Sequence, residues 1–464
     1  MSALEMLGLT ELAARIRDGA VTSVAATEAV LARAATVQPQ LHCFLEIDRD
    51  GALQAAEQAD RARRAGAVLG PLHGVPLAHK DMFDVAGRVV RYGSRVRGEH
   101  RPAITATVLE RLATAGAVRI GALNMAEFAL GATGHNGAVG DCRNGRDPRF
   151  MAGGSSSGSG AAVAAGAAYG ALGSDTGGSV RIPAAANGVV GIKPTYGRVS
   201  RYGSMRLAPS IDVIGPLARS VRDCARLLGV IAGHDPRDPQ SSALPVPDYE
   251  AELARGVAGL RIGVPRNYFF DVATDDIRVA MQHSVDALAA QGARIVELEL
   301  PDVKPLAELS RAIVYSEAAG LHAHWLRTRP EVYSPQVRVR ASTGLGIPAS
   351  VYYEALLLRV PMLRCFVSEA FTQCDALHTP TLPIATPTFD EVNVGAGESL
   401  WRTLSLLVHN TAPLNFLGLP AVSVPGSLAA NGMPSSVQLI GPPFSEARLL
   451  RIAAAHEAAH PELR

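Results

Sequence analysis

A chain of 464 residues, 48% of them hydrophobic, can bury a large core, and with only 5% aromatic residues much of that core must be small side chains in close contact. Its 44 basic residues nearly balance 43 acidic ones, for a net charge of +1, so nothing in the charge asks for a nucleic acid or an anionic membrane as partner. The five cysteines, Cys43, Cys142, Cys224, Cys365 and Cys374, are scattered without a C-x-x-C pair, which fits reduced thiols and a cytoplasmic setting.

The first 69 residues read as helical. Glu5, Glu11 and Asp18 interrupt the apolar positions of the first twenty, which makes an amphipathic helix and not a signal peptide. Thr10 is the expected cap of a helix running to Arg17, and Ser23 of a second running to Thr36; a third is expected over 51–65. Short strands follow at 75–78 and 118–123, separated by a helix at 107–115. The most apolar run, 161–173, is too short and too rich in glycine to span a bilayer, and reads as a buried helix with a turn after it. Then come a strand at 189–192 and a helix at 221–231. The chain turns polar at 234–258, with Pro236, Pro239, Pro245 and Pro247, as a surface excursion or a boundary would. A strand, helix and strand follow at 261–264, 277–291 and 293–298, then a mostly helical stretch over 300–375. Strands at 421–424 and 437–440 and a last helix over 445–460 complete the chain. The alternation predicts an α/β fold with a mixed sheet covered by helices.

Three stretches carry chemistry. The first is Gly-Val-Pro-Leu-Ala-His-Lys-Asp at 74–81, the second Gly-Gly-Ser-Ser-Ser-Gly-Ser-Gly at 153–160, and the third Gly-Ser-Asp-Thr-Gly-Gly-Ser-Val-Arg-Ile-Pro at 173–183. Together they offer a lysine, a serine on a glycine-rich turn and a second serine behind a Gly-Gly pair. Serine is a poor nucleophile until a base takes its proton, and a desolvated neutral lysine can be that base. Lysine is scarce here: Lys80, Lys193 and Lys304 are the three, and every other basic residue is arginine.

Other readings of the same letters fare less well. A flexible linker at 153–160 would not run straight into the apolar Ala161-Ala162-Val163. A phosphate loop would end in Gly-Lys-Ser/Thr, and a nucleophile elbow at Ser156 would follow an apolar strand, not Arg146-Asp147-Pro148-Arg149. Asp175-Thr176-Gly177-Gly178-Ser179 taken alone reads as an ordinary turn. Beside Lys80 and the serine loop, it reads as a set of backbone N–H groups converging on Ser179. His456-Glu457-Ala458-Ala459-His460 satisfies H-E-x-x-H, but catalytic zinc needs a third protein ligand, and an amphipathic terminal helix explains the spacing.

The ordered motifs resemble the amidase signature family of serine hydrolases. The match runs over 70–216: Gly70-Pro71-Leu72-His73-Gly74-Val75-Pro76 ahead of Lys80-Asp81, Asn124-Met125-Ala126-Glu127-Phe128, both serine motifs, 191–200 and 210–216. Weaker likeness covers the N-terminal helices, Gly418-Leu419-Pro420-Ala421 and Gln438. The resemblance implies one large α/β/α domain over 1–464, with a helical region at 1–69, the signature core at 70–216 and a more variable pocket region at 234–410. It makes Ser179 the nucleophile, Ser155 a bridging serine held by a cis peptide to Gly154, and Lys80 the base. Amides of Thr176, Gly177, Gly178 and Ser179 would form the oxyanion hole, braced by Asp175 and Arg181. Met125, Leu130 and His135 are the expected substrate contacts near the pocket mouth. Arg359, in Tyr352-x-x-Ala355-x-x-x-Arg359, is placed to meet an acidic substrate or an acid on its own helix. His79 departs from the apolar residue usual beside the lysine and is expected to be a hydrogen-bonded core histidine.

The implied activity is hydrolysis of a small carboxamide to carboxylate and ammonia or amine through an acyl-enzyme. It needs no cofactor and no metal. Its partner is a small-molecule amide, with no nucleic acid, no membrane, and a homodimer left open. Two alternatives stand beside it: the glutaminase (A) subunit of an aminoacyl-tRNA amidotransferase, and a non-catalytic binding subunit of the same fold. A free-standing amidase is favoured because 408–415 lacks the acid expected for a glutamine amino group, and every catalytic position is filled.

Overall fold

One sheet threads nearly the whole chain. In the computed structural model, which describes residues 4–461, its eleven strands are β1 Phe44–Ile47, β2 Pro76–Lys80, β3 Val118–Leu123, β4 Gly170–Asp175, β5 Val190–Lys193, β6 Val213–Ala218, β7 Arg261–Pro265, β8 Arg294–Leu298, β9 Ala376–Pro380, β10 Ala421–Leu428 and β11 Pro434–Ile440. They lie in the order β1-β3-β2-β4-β6-β5-β10-β11-β9-β7-β8. The sheet is mixed: β2 runs parallel to β3 and β4, β7 parallel to β8 and β9, and the centre is antiparallel. The central strands β2, β4, β5, β6 and β11 are buried along their whole length, as strands covered by helices on both faces must be.

Where the sequence pattern is strong the elements lie close to expectation. The strand at 118–123 and the helix Val221–Ile231 match to the residue, and the last helix is Glu446–Ala459. The polar stretch at 234–258 is irregular apart from a 3-10 turn at Leu253–Arg255. Arg111 ties its start down by donating to the carbonyls of Ile231, Gly233 and His234.

Three expectations need correction. Thr10 is not a cap: Gly8 precedes the helix Leu9–Arg17, and the Thr10 amide and hydroxyl both donate to Asp223. Ser23 lies inside the helix Ser23–Leu41, and Thr22 caps it by accepting from Ala25 N. The buried helix near 161 is Ser157–Ala164, four residues earlier than the apolar run predicts, and β4 occupies the place expected for a turn. Among the described residues no helix is long and apolar enough to cross a membrane.

Candidate active site

Lys80 ends β2 with its side chain 1% exposed. Its Nζ lies 2.7 Å from Ser155 Oγ and 2.8 Å from Ser174 Oγ, on neighbouring β4. Burial pulls the ammonium pKa from 10.5 down to about 7, against the weaker pull of Asp212 and Asp175 in the other direction. Asp212 is itself occupied. It accepts from Thr176 Oγ1 at 2.7 Å and from the Leu207 and Ala208 amides at 2.8 and 2.9 Å, and burial raises its pKa.

Ser155 is held by its surroundings. The Gly154–Ser155 peptide is cis, and the Ser155 carbonyl accepts from Ala126 N at 3.0 Å. The next residue donates its amide to the Ser179 carbonyl at 3.2 Å, which joins the two serine motifs directly. Then begins the helix Ser157–Ala164, built wholly of Ser, Gly, Ala and Val. Small side chains let it lie close on the sheet. Ser159 Oγ donates to the Leu172 carbonyl, and the Ser156 hydroxyl bonds the backbone of Ser174.

The loop after β4 is set by a buried ion pair. The Asp175 carboxylate accepts from Arg181 Nε at 3.0 Å and Nη2 at 2.9 Å, and both side chains are 0% exposed. Burial alone would raise the Asp175 pKa; the charge and hydrogen bonds of Arg181 outweigh it and hold the carboxyl well below its usual range. Arg181 also donates to Gln438 Oε1, the Thr411 carbonyl and Asn415 Oδ1, so all three guanidinium nitrogens are engaged. Gly178 sits at φ +125°, where a Cβ would come 2.3 Å from Thr411 Oγ1.

The same carboxylate decides which amides are free. Gly178 N–H donates to Asp175 Oδ1 at 2.8 Å, so it is committed inside the protein. Among the described residues, the N–H groups of Thr176, Gly177 and Ser179 have no internal acceptor. Of the four amides expected to converge beside Ser179, that of Gly178 is therefore held by the Asp175 carboxylate.

Thr176, Gly177 and Ser179 form one side of a cavity of about 180 Å³. Leu130, Leu207, Val314, Trp401 and Val408 make much of it apolar, and Arg311 and Arg340 also reach it. Of the substrate contacts expected from sequence, Leu130 lines this cavity and the other three lie elsewhere. Met125 is buried in the core, and His135 stacks on Phe389 with its Nδ1 2.9 Å from Thr133 Oγ1. Arg359 donates to the carbonyls of Phe416 and Ser210 at 2.9 and 2.7 Å, so its charge meets backbone and not an acid of its helix.

Two histidines singled out from sequence also find their places. His456 has both ring nitrogens engaged: Nε2 lies 2.8 Å from the Pro425 carbonyl and Nδ1 3.0 Å from Ser284 Oγ. A carbonyl only accepts, so Nε2 carries a proton, while Nδ1 shares the Ser284 hydroxyl with His378 Nε2, 2.8 Å from that oxygen. His79 is buried as expected, but its Nδ1 has no partner, and burial, helped by Arg119, lowers its pKa to about 3. Ser174 is the site residue that sequence reasoning missed. Its alternation with Asp175 along β4 places its hydroxyl on the Lys80 side, a signal hidden while this segment reads as a turn.

The family model described as Amidase matches residues 25–450 of this chain. A relative from Chloroflexus aggregans (strain MD-66 / DSM 9485), named as the A subunit of glutamyl-tRNA(Gln) amidotransferase, is 40% identical over 98% of this chain and 97% of its own. A solved structure described as part of a vestigial protein complex that reveals the origins of an s-triazine catabolic enzyme is 34% identical, with a TM-score of 0.91 over 97% of this chain and 98% of its own. A third, described as an amidase, is also 34% identical, with a TM-score of 0.86 over 97% and 99% of the two chains. The chain belongs to the amidase family.

Proposed function

We propose that this amidase-family chain hydrolyses a small carboxamide through Ser179, with Ser155 and Lys80 as its proton relay. The observation that carries this reading is the buried Lys80 Nζ, 2.7 Å from Ser155 Oγ, with its pKa brought to about 7. A lysine that is neutral at working pH can accept a proton; an ordinary exposed one cannot.

In the proposed cycle neutral Lys80 turns its lone pair to the Ser155 hydroxyl while one N–H still donates to Ser174. Ser155 passes its proton to Lys80 and takes the proton of Ser179. The Ser179 oxygen adds to the amide carbonyl, and the N–H groups of Thr176, Gly177 and Ser179 receive the oxyanion. The C–N bond breaks as the leaving nitrogen takes a proton from Ser155. Water then opens the acyl-enzyme by the same relay, giving the carboxylate.

The amidotransferase reading retains one favourable observation, the 40% identity to a chain named as the A subunit of such an enzyme. The cavity speaks for the amidase instead. Glutamine is a zwitterion, and among the described residues no Asp or Glu lines the cavity to meet its ammonium group, while Arg359 is engaged elsewhere. The test is ammonia release from a panel of small amides against glutamine with no partner present, together with fluorophosphonate labelling mapped by peptide mass. Labelling at Ser179 with turnover of small amides is the expected result. Labelling at Ser156, or turnover of glutamine alone and only with added partner subunits, would overturn it.

A further inference from the structure

Arg340 and Arg311 both line the cavity and are cations that the proposed relay does not use. Arg311 belongs to the helix Lys304–Thr328, whose Ala307, Ser310, Arg311, Val314 and Tyr315 all line the cavity. That spacing, i, i+3, i+4, i+7, i+8, is one helical face. Arg340 comes from the next helix, Pro335–Thr343.

Both helices are anchored to the signature core. The buried carboxylate of Glu127 accepts from the amide and hydroxyl of Ser334, at 3.0 and 2.5 Å, and so fixes the start of the Arg340 helix. Phe128, beside it in sequence, packs on His322 and Trp325 of the Arg311 helix at centroid distances of 4.4 and 5.9 Å. Tyr315 completes the mounting: its hydroxyl is 3.4 Å from Arg340 Nη2, and its ring lies 5.9 Å below the guanidinium.

These cations lack counter-charges. Among the described residues no Asp or Glu lines the cavity, and neither arginine has an ion-pair partner. Arg340 is half-buried and its Nε is enclosed with no acceptor. A guanidinium that faces a mostly apolar cavity without a counter-ion is costly. A ligand carboxylate in the cavity would supply the missing counter-charge. Two oxygens in one plane match the guanidinium fork, which favours a carboxylate over a point anion.

We infer that the substrate is an amide whose acyl part carries a carboxylate, held by Arg340 and assisted by Arg311. This rests on the amidase reading above. Ser179 adds to the acyl carbon, the C–N bond breaks as the leaving nitrogen takes a proton through Ser155, and water then releases the acyl group, so the products are a dicarboxylate and ammonia. Arg340 would thus set specificity, and the apolar wall with Leu130 and Trp401 would hold the chain between amide and carboxylate.

The experiment uses three matched pairs: malonamate with propionamide, succinamate with butyramide, glutaramate with valeramide. Each pair differs by a carboxylate in place of a methyl group. Two readouts are taken on the full chain: kcat/KM from ammonia release, and protection of Ser179 against a fluorophosphonate. In at least one pair the acid should exceed its neutral partner at least tenfold in kcat/KM and protect at lower concentration. Arg340→Met should cut that acid-to-neutral ratio at least tenfold, chiefly through KM, and Arg340→Lys should restore part of it. Labelling of Ser179 with equal or better protection by the neutral amides overturns the inference while leaving the amidase reading intact. So does an unchanged ratio in Arg340→Met. Failure of the probe to label Ser179 at all overturns the amidase reading, and this inference with it.

Discussion

The Asp175 carboxylate takes the N–H of Gly178 at 2.8 Å while also holding Arg181, so one residue both braces the loop and withdraws an amide from the cavity. Removing that carboxylate therefore has two effects. Asp175→Ala leaves the fully buried Arg181 without its counter-ion, and breaking a buried pair in this way costs about 3–5 kcal/mol. Chemical denaturation should show that loss. Activity should fall by more than the folded fraction explains, because Gly178 N–H is no longer fixed and the neighbouring amides lose their alignment. Since the Asp175 carboxyl lies below its usual range in the folded state, its contribution is present above the unfolded carboxylate pKa and is lost as pH falls through the lower folded one. Wild-type stability should therefore drop below about pH 4, and Asp175→Ala should lack that part of the drop.

Neighbouring glycines separate structure from function. At Gly177 a Cβ would meet nothing within 4 Å, whereas at Gly178 it would collide with Thr411 Oγ1 in a left-handed backbone. Gly177→Ala should melt within a degree or two of wild type yet lose activity about tenfold or more, because the new methyl stands where the oxyanion must approach. Gly178→Ala should lose melting temperature first. Equal stability losses in the two variants would contradict this division.

The proposed base fixes the sign of the pH profile. Lys80 must be neutral to accept a proton, and its pKa is brought to about 7 by burial. Turnover should rise with pH through about 7 and level off above it, reporting the coupled Lys80–Ser155 pair more than one group. Lys80→Ala should abolish that limb and nearly all turnover with the fold retained. Lys80→Arg should not rescue, since a guanidinium stays protonated throughout this range. His79 is a poor substitute base: it sits on the other face of β2, and its pKa is lowered to about 3. A profile unchanged in Lys80→Ala, measured by ammonia release from pH 5 to 10, would end the relay as drawn.

Much of this site is legible in the amino-acid sequence because its parts are glycine-marked and local. Lys80, Ser155 and Ser179 each sit in a short motif, and the loop geometry around Ser179 follows from Asp175 and Arg181 six residues apart. The illegible parts depend on tertiary placement. β4 is Gly-Ala-Leu-Gly-Ser-Asp, with no β-branched or aromatic residue, so its strand character comes from pairing with β2 and β6 and not from propensity. The cavity wall comes from helices more than a hundred residues further along, where Arg359 draws attention by its surroundings in sequence and Arg340 does not. Only the packing of those helices on Glu127 and Phe128 tells the two arginines apart.

Ser174 offers the sharpest check on how Lys80 is tuned. Its hydroxyl accepts from Lys80 at 2.8 Å, and an acceptor favours the charged form of an amine because the ammonium donates more strongly. Ser174→Ala removes that support inside a buried site. The Lys80 pKa should then fall further, and the rising limb of the pH profile should move to lower pH. The plateau rate should nevertheless drop, by about tenfold, because the free amine loses the bond that keeps its lone pair turned toward Ser155. These two movements are opposite in their effect at acidic pH, so a full profile is needed and a single-pH assay would mislead. A limb that moves to higher pH, or a plateau that rises, would show that Ser174 restrains the lysine instead of orienting it.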